Sequence, residues 1–141
     1  MTLQISHSII SESNITWPTN LEEGQKMSST AGSITVEKDV EKNAVVTAHS
    51  FIKIHGNSGE GSCLTSKTGS VNANDLADRV TVKAKEGVKV KNVGEHVILE
   101  SANFCTTVED TGSHCQINSK RMVKANNIGP SSTIFAEWDG I

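Results

Sequence analysis

Asn92-Val93-Gly94-Glu95-His96-Val97-Ile98-Leu99-Glu100-Ser101 is the stretch on which the fold is decided. It opens on an Asx-apolar-Gly corner, then alternates apolar or small residues with polar ones. The arrangement returns five more times at steps of 17 or 18 residues. Its Asx position is held by Asp39, Asn57, Asp75, Asn92, Asp110 and Asn127, and the position after it by Val40, Ser58, Leu76, Val93, Thr111 and Ile128. Past the corner run three more columns: Ala44, Ser62, Val80, Val97, Cys115, Ser132; Val46, Leu64, Val82, Leu99, Ile117, Ile134; and Ala48, Ser66, Ala84, Ser101, Ser119, Ala136. Period-two alternation marks a strand with one buried face. A coil of this length cannot bury that face alone, so copies must stack on one another.

Each repeat carries a second strand, with inward pairs Ile34/Val36, Ile52/Ile54, Val71/Ala73, Val88/Val90, Thr106/Val108 and Val123/Ala125. The expected fold is therefore all-β: a single-stranded parallel β-helix (β-solenoid) of about six coils over residues 33–137. The Asx column is expected to sit at a sharp corner, because Asn and Asp tolerate left-handed backbone angles and bond their own main chain. Gly59, Gly94, Gly112 and Gly129, two places on, are read as supplying the same freedom. A structural role for this column is preferred to metal binding, since the nonapeptide calcium pattern is missing. Residues 1–32 lie outside the repeat and are expected to cap the first rung, with a helical turn or two within 21–27 and Trp17 over the open end. Residues 138–141 would form the second cap or dock onto another copy, with Phe135 and Trp138 as the contact residues.

Composition bears this out. Only five aromatic residues occur in 141, and no Tyr, so large rings cannot fill the core and stacked aliphatic and small side chains must. A net charge of −3 with interleaved signs creates no broad field for gathering nucleic acid. No segment is long enough to span a bilayer, and no secretory signal is recognisable, which points to the cytoplasm. Cys63, Cys105 and Cys115 have no zinc-ligand spacing and read as reduced thiols, Cys115 as a buried filler.

Asn92-Val93-Gly94 with Val97, Leu99 and Ser101, and Asn127-Ile128-Gly129 with Ser132, Ile134 and Ala136, resemble the coils of the bactofilins and of the β-helical part of the flagellar assembly protein A family. The resemblance covers about residues 33–137 and implies a non-catalytic scaffold. The N-terminal segment departs from it, and is of a kind to block the end-to-end stacking by which bactofilins form filaments. The corners also resemble the hexapeptide repeat of left-handed β-helix acyltransferases: Ile34, Val40, Val46, Ile52, Ser58 and Leu64 fall every six residues. Coils of 17 then break that register, which ranks a right-handed helix above a left-handed one.

Chemistry-bearing residues are few. His96 and His114 share a column in neighbouring rungs, beside Glu95 and one rung beyond Arg79, within ~5 Å of each other. They are the candidates for a metal or acid–base site, although an outward corner histidine is more often plain surface. Lys83, Lys85, Lys89 and Lys91 form a basic run that alternation spreads over outward faces. The reading is a non-enzymatic solenoid without cofactor, acting as structural scaffold, self-assembly unit or protein-interaction module. An acyltransferase-like prism and a carbohydrate-binding β-helix are the alternatives.

Overall fold

The computed structural model describes residues 8–103 and 105–136. Within them the chain winds as a three-sided parallel β-solenoid, with no helix. Face one is an eight-stranded sheet built from Ser8–Ser11, Lys26–Ser29, Val45–Ala48, Cys63–Ser66, Thr81–Ala84, Ile98–Ser101, Gln116–Ser119 and Thr133–Ala136, stacked in chain order. Face two stacks seven shorter strands, from Ile15–Trp17 through Ile34–Val36, Ile52–Ile54, Val71–Asn72, Val88–Lys89 and Thr106–Thr107 to Val123–Lys124. Face three is the narrowest. It consists of the pair Asn92–Val93 and Asp110–Thr111, with single bridges linking Leu21, Val40, Ser58, Leu76 and Val93 in succession.

The register is the one the columns demand. Val46 pairs with Leu64, Leu64 with Val82, Val82 with Leu99 and Leu99 with Ile117, all fully buried. Their strand neighbours Thr47, Thr65, Lys83, Glu100 and Asn118 face outward. On face two, Ile34, Ile52, Val71, Val88, Thr106 and Val123 lie in one buried column. The six-residue series Ile34, Val40, Val46, Ile52, Ser58, Leu64 visits faces two, three and one in turn, so its period is the width of one side of the prism. Nothing in the interior is larger than Leu, Ile or Met among the fully buried side chains, which is how a core with few rings closes.

Four expectations need correction. Residues 8–32 do not form a separate cap. Ser8–Ser11 pairs in register with Lys26–Ser29, Ile15–Trp17 with Ile34–Val36, and Leu21 bridges to Val40, so the solenoid starts at least as early as Ser8 and makes about seven turns. Ile9, Ile15, Leu21 and Met27, six residues apart, are the inward residues of these added rungs. No helical turn forms within 21–27, because Leu21 and Met27 belong to two different faces of the prism. The left-handed backbone also falls elsewhere than on the Asx column: positive φ occurs at Gly24, Asn43, Gly61, Arg79, His96, His114 and Ser131, four residues later in each coil. Nor do the corner glycines supply φ freedom. A Cβ on Gly112 would lie 2.7 Å from Gly94 O and 2.8 Å from Gly94 C, so glycine is needed there for the close approach of successive rungs.

Candidate functional site

The left-handed corner between faces three and one determines where the histidines point. At φ 57° and 56°, His96 and His114 turn outward, and their amides are anchored to the next rung through His96 N–H to Ser113 O and His114 N–H to Pro130 O. The rings stack with centroids 4.9 Å apart and planes 16° apart. One rung before them Arg79 takes the same position, and its Nη1 donates to Glu60 Oε1 at 2.7 Å. Both partners are about half exposed, so this ion pair contributes under ~1 kcal/mol. Beneath the corner lies Cys115, whose thiol donates to Gly94 O at 3.1 Å. Burial pushes the Cys115 thiol above its ordinary pKa, the carboxylates of Asp78 and Glu95 adding to this while backbone hydrogen bonds oppose it. A thiol so placed stays protonated and is a poor nucleophile. Cys63 and Cys105 are also free and only partly exposed.

The Asx column has a function that sequence reasoning missed. From Asn20 to Asp75 the side chain receives the backbone N–H of the next rung: Asp39 N–H donates to Asn20 Oδ1 (3.0 Å), Asn57 N–H to Asp39 Oδ1 (2.8 Å), Asp75 N–H to Asn57 Oδ1 (3.3 Å) and Asn92 N–H to Asp75 Oδ1 (3.2 Å), whereas the Asp110 and Asn127 amides donate to Lys91 O and Glu109 O. Side-chain amides extend the ladder, Asn127 Nδ2 donating to Asp110 Oδ1 at 2.8 Å. Face three has few strand hydrogen bonds, and this ladder satisfies the amides it leaves over. The signal was present in the columns: an Oδ1 is the one atom that Asn and Asp share as acceptor.

Two grooves run beside the corners. One, of about 430 Å³, lies along the edge between faces one and two and is lined by Lys67, Lys83, Lys85, Ala102, Lys120 and Phe135. Phe135, on the last described strand of face one, is 57% exposed. The other, of about 550 Å³, lies beside the outward column of face two, with Lys53, His55, Asn74, Lys89, Lys91 and Glu109 along it. The basic run is thus distributed as expected, Lys83 on face one, Lys85 at the corner and Lys89 on face two, but it aligns with lysines of other rungs. Trp17 occupies the first inward column position at the end of face two, paired with Val36, with its Nε1 donating to Asn20 O at 3.1 Å. Trp138 lies outside the described residues.

Among the described residues no group of three or more His, Cys, Asp or Glu side chains gathers as a metal ion would require, and no helix is long and apolar enough to cross a membrane. Fold and surface together define a three-sided parallel β-solenoid with a side-chain amide ladder along one edge. Comparison with protein families, characterised proteins and solved structures yields no match.

Proposed function

We propose that this chain is a non-enzymatic building element, a scaffold that docks through the ends of its solenoid onto further copies of itself or onto a protein partner. The observation that carries this reading is that both ends present the same columns in the same register. On face one the inward column begins with Ile9 and ends with Ile134; on face two it begins with Ile15 and Trp17 and ends with Val123 and Ala125. Residues of these columns that are sealed in the middle rungs become half-buried at the ends, namely Ile9, Ile15, Trp17, Ala125, Ile134 and Ala136. Among the described residues, Ser8–Ser11 and Thr133–Ala136 are the outermost strands of face one. Ile10 and Ile128, two of the exposed large hydrophobic residues, sit on these end rungs. A second copy stacked end to end on face one would supply its missing rung at ~4.8 Å and close its apolar column.

Residues 8–32 support this reading, because they prolong the stack in register instead of lying across it. The resemblance to bactofilins points the same way. The buried, protonated Cys115 and the outward histidines give no reason to assign catalysis. Light scattering and negative-stain microscopy across a concentration series test the proposal. Growth in units of roughly 38 Å, eight strands at ~4.8 Å, insensitive to salt and blocked by Ile134→Lys, is the expected result. A single-chain mass at every concentration, with no complex recovered, refutes it.

A further inference from the structure

The edge between faces two and three carries a charge pattern that neither the amide ladder nor end docking uses. The outward column of face two reads Thr35, Lys53, Asn72, Lys89, Thr107, Lys124. The Asx column in the same coils reads Asp39, Asn57, Asp75, Asn92, Asp110, Asn127. Lysine therefore occupies every second rung of one column, and aspartate every second rung of the other, out of step with it: in these two columns each coil carries one or the other, with Lys91 and Glu109, of opposite sign and one rung apart, standing between them. Within each column the charges recur every ~9.6 Å, two rungs of ~4.8 Å. Lys53, Lys89 and Lys124 are exposed and, among the described residues, make no ion pair. Each aspartate uses Oδ1 in the ladder, which leaves Oδ2 for another partner. The groove of about 550 Å³ runs beside the lysine column, lined by Lys53, Lys89 and Thr107 and, on the side toward the Asx column, by His55, Lys91 and Glu109.

We propose that this edge is a lateral docking surface for a second copy of the chain, set side by side and pointing the same way about a two-fold axis parallel to the solenoid. That rotation exchanges the two sides of the edge without changing height. The lysine column of each copy then meets the aspartate column of the other, as an isologous contact requires. Because the columns alternate, Lys53 enters between the partner's Asp39 and Asp75, and Lys89 between the partner's Asp75 and Asp110. A polyanion fits less well, since aspartates stand along the same edge at the same spacing and would repel it. The partner that matches charge, spacing and phase together is the edge itself. This contact is independent of the solenoid ends, and it would join end-to-end stacks into pairs.

The test is sedimentation of the full chain at about 20 mM and 500 mM NaCl, in an Ile134→Lys background so that growth at the ends does not interfere. A doubled mass at low salt that falls to the single-chain mass at high salt is expected, because exposed charge pairs are screened over a Debye length of ~10 Å at 0.1 M. Asp39→Asn/Asp75→Asn/Asp110→Asn keeps every Oδ1 of the ladder and removes the charge; with Lys53→Gln/Lys89→Gln/Lys124→Gln, each triple variant is expected to weaken pairing at least tenfold while leaving the circular dichroism spectrum unchanged. Lys83→Gln, on face one, is expected to have no effect. A single-chain mass at low salt overturns the proposal, as does pairing that survives high salt and both triple variants. So does an unpaired wild-type edge that binds heparin through the three lysines. If the Ile134→Lys chain forms salt-sensitive pairs but the parent never lengthens, the end-docking reading falls and this one stands.

Discussion

Leu99→Ala is the substitution that reads the packing most directly. Leu99 is fully buried, held in register between Val82 on one side and Ile117 on the other, both also fully buried. Truncation removes three carbons from a layer whose ceiling and floor are fixed by main-chain hydrogen bonds to the rungs above and below. In a globular core, neighbours relax into such a gap. Here the strand spacing of ~4.8 Å forbids it, so the cavity term should be retained nearly whole and the loss should reach about 3–5 kcal/mol, the upper part of the range for buried Leu→Ala. Against a total stability of ~5–15 kcal/mol this is a large fraction, and for a chain of this size it lowers the melting temperature by roughly 10–20 °C. Glu100→Ala, one residue along, is the internal control. Its carboxylate is 4.0 Å from Lys83 Nζ with both side chains about half exposed, so its removal should cost under ~0.5 kcal/mol. Urea melts of the two variants beside the parent chain measure the difference. Equal midpoints would refute the inward–outward assignment of face one.

Further outcomes follow from the same packing. Thr106 is fully buried in a column with Val88 and Val123, and among the described residues its Oγ1 has no hydrogen-bond partner; Thr106→Val should stabilise the fold by about 1–2 kcal/mol in the same melts. Asp39→Ala deletes the acceptor of the Asn57 amide and should cost about 0.5–1.5 kcal/mol, whereas Asp39→Asn keeps Oδ1 and should stay within about 0.5 kcal/mol of the parent; equal losses would show that charge, not the ladder, is what matters. The raised pKa of Cys115 fixes a sign: above about pH 8.5 the unfolded thiol loses its proton while the folded one keeps it, so the unfolded state binds fewer protons and stability falls as pH rises from there toward the folded value. The urea midpoint should therefore drop between about pH 7.5 and 9.5 more in the parent than in Cys115→Ala, and iodoacetamide should label Cys63 well before Cys115.

Much of the architecture could be read from side-chain columns because a solenoid writes its third dimension into one-dimensional spacing. Val46, Leu64 and Val82 are neighbours for the same reason that they are 18 residues apart. The first rungs were hidden by a single added residue. Asn20 lies 19 positions before Asp39, and Met27 pairs with Val46 at that same step, so a search at 17 or 18 passes over them although their six-residue spacing is intact. The left-handed corner was misplaced for a different reason. Propensity favours Asx or Gly there, yet Arg79, His96 and His114 adopt it, held by inter-rung hydrogen bonds that override local preference. Of the candidate site, the histidine stack was legible from column position alone, since rung spacing sets ring spacing. The amide ladder was legible only as a shared Oδ1 down the Asx column; its donor, the backbone of the next coil, is a contact that no within-coil pattern contains.

The most direct test is methyl cross-relaxation in a chain labelled at Val, Leu and Ile. Stacked rungs require cross-peaks in strict succession from Val46 to Leu64, Val82, Leu99 and Ile117, each step spanning ~4.8 Å, and none between Val46 and Leu99, three rungs away. Direct contact between Val46 and Leu99, or silence between Leu64 and Val82, would contradict a solenoid and everything inferred from its edges and ends.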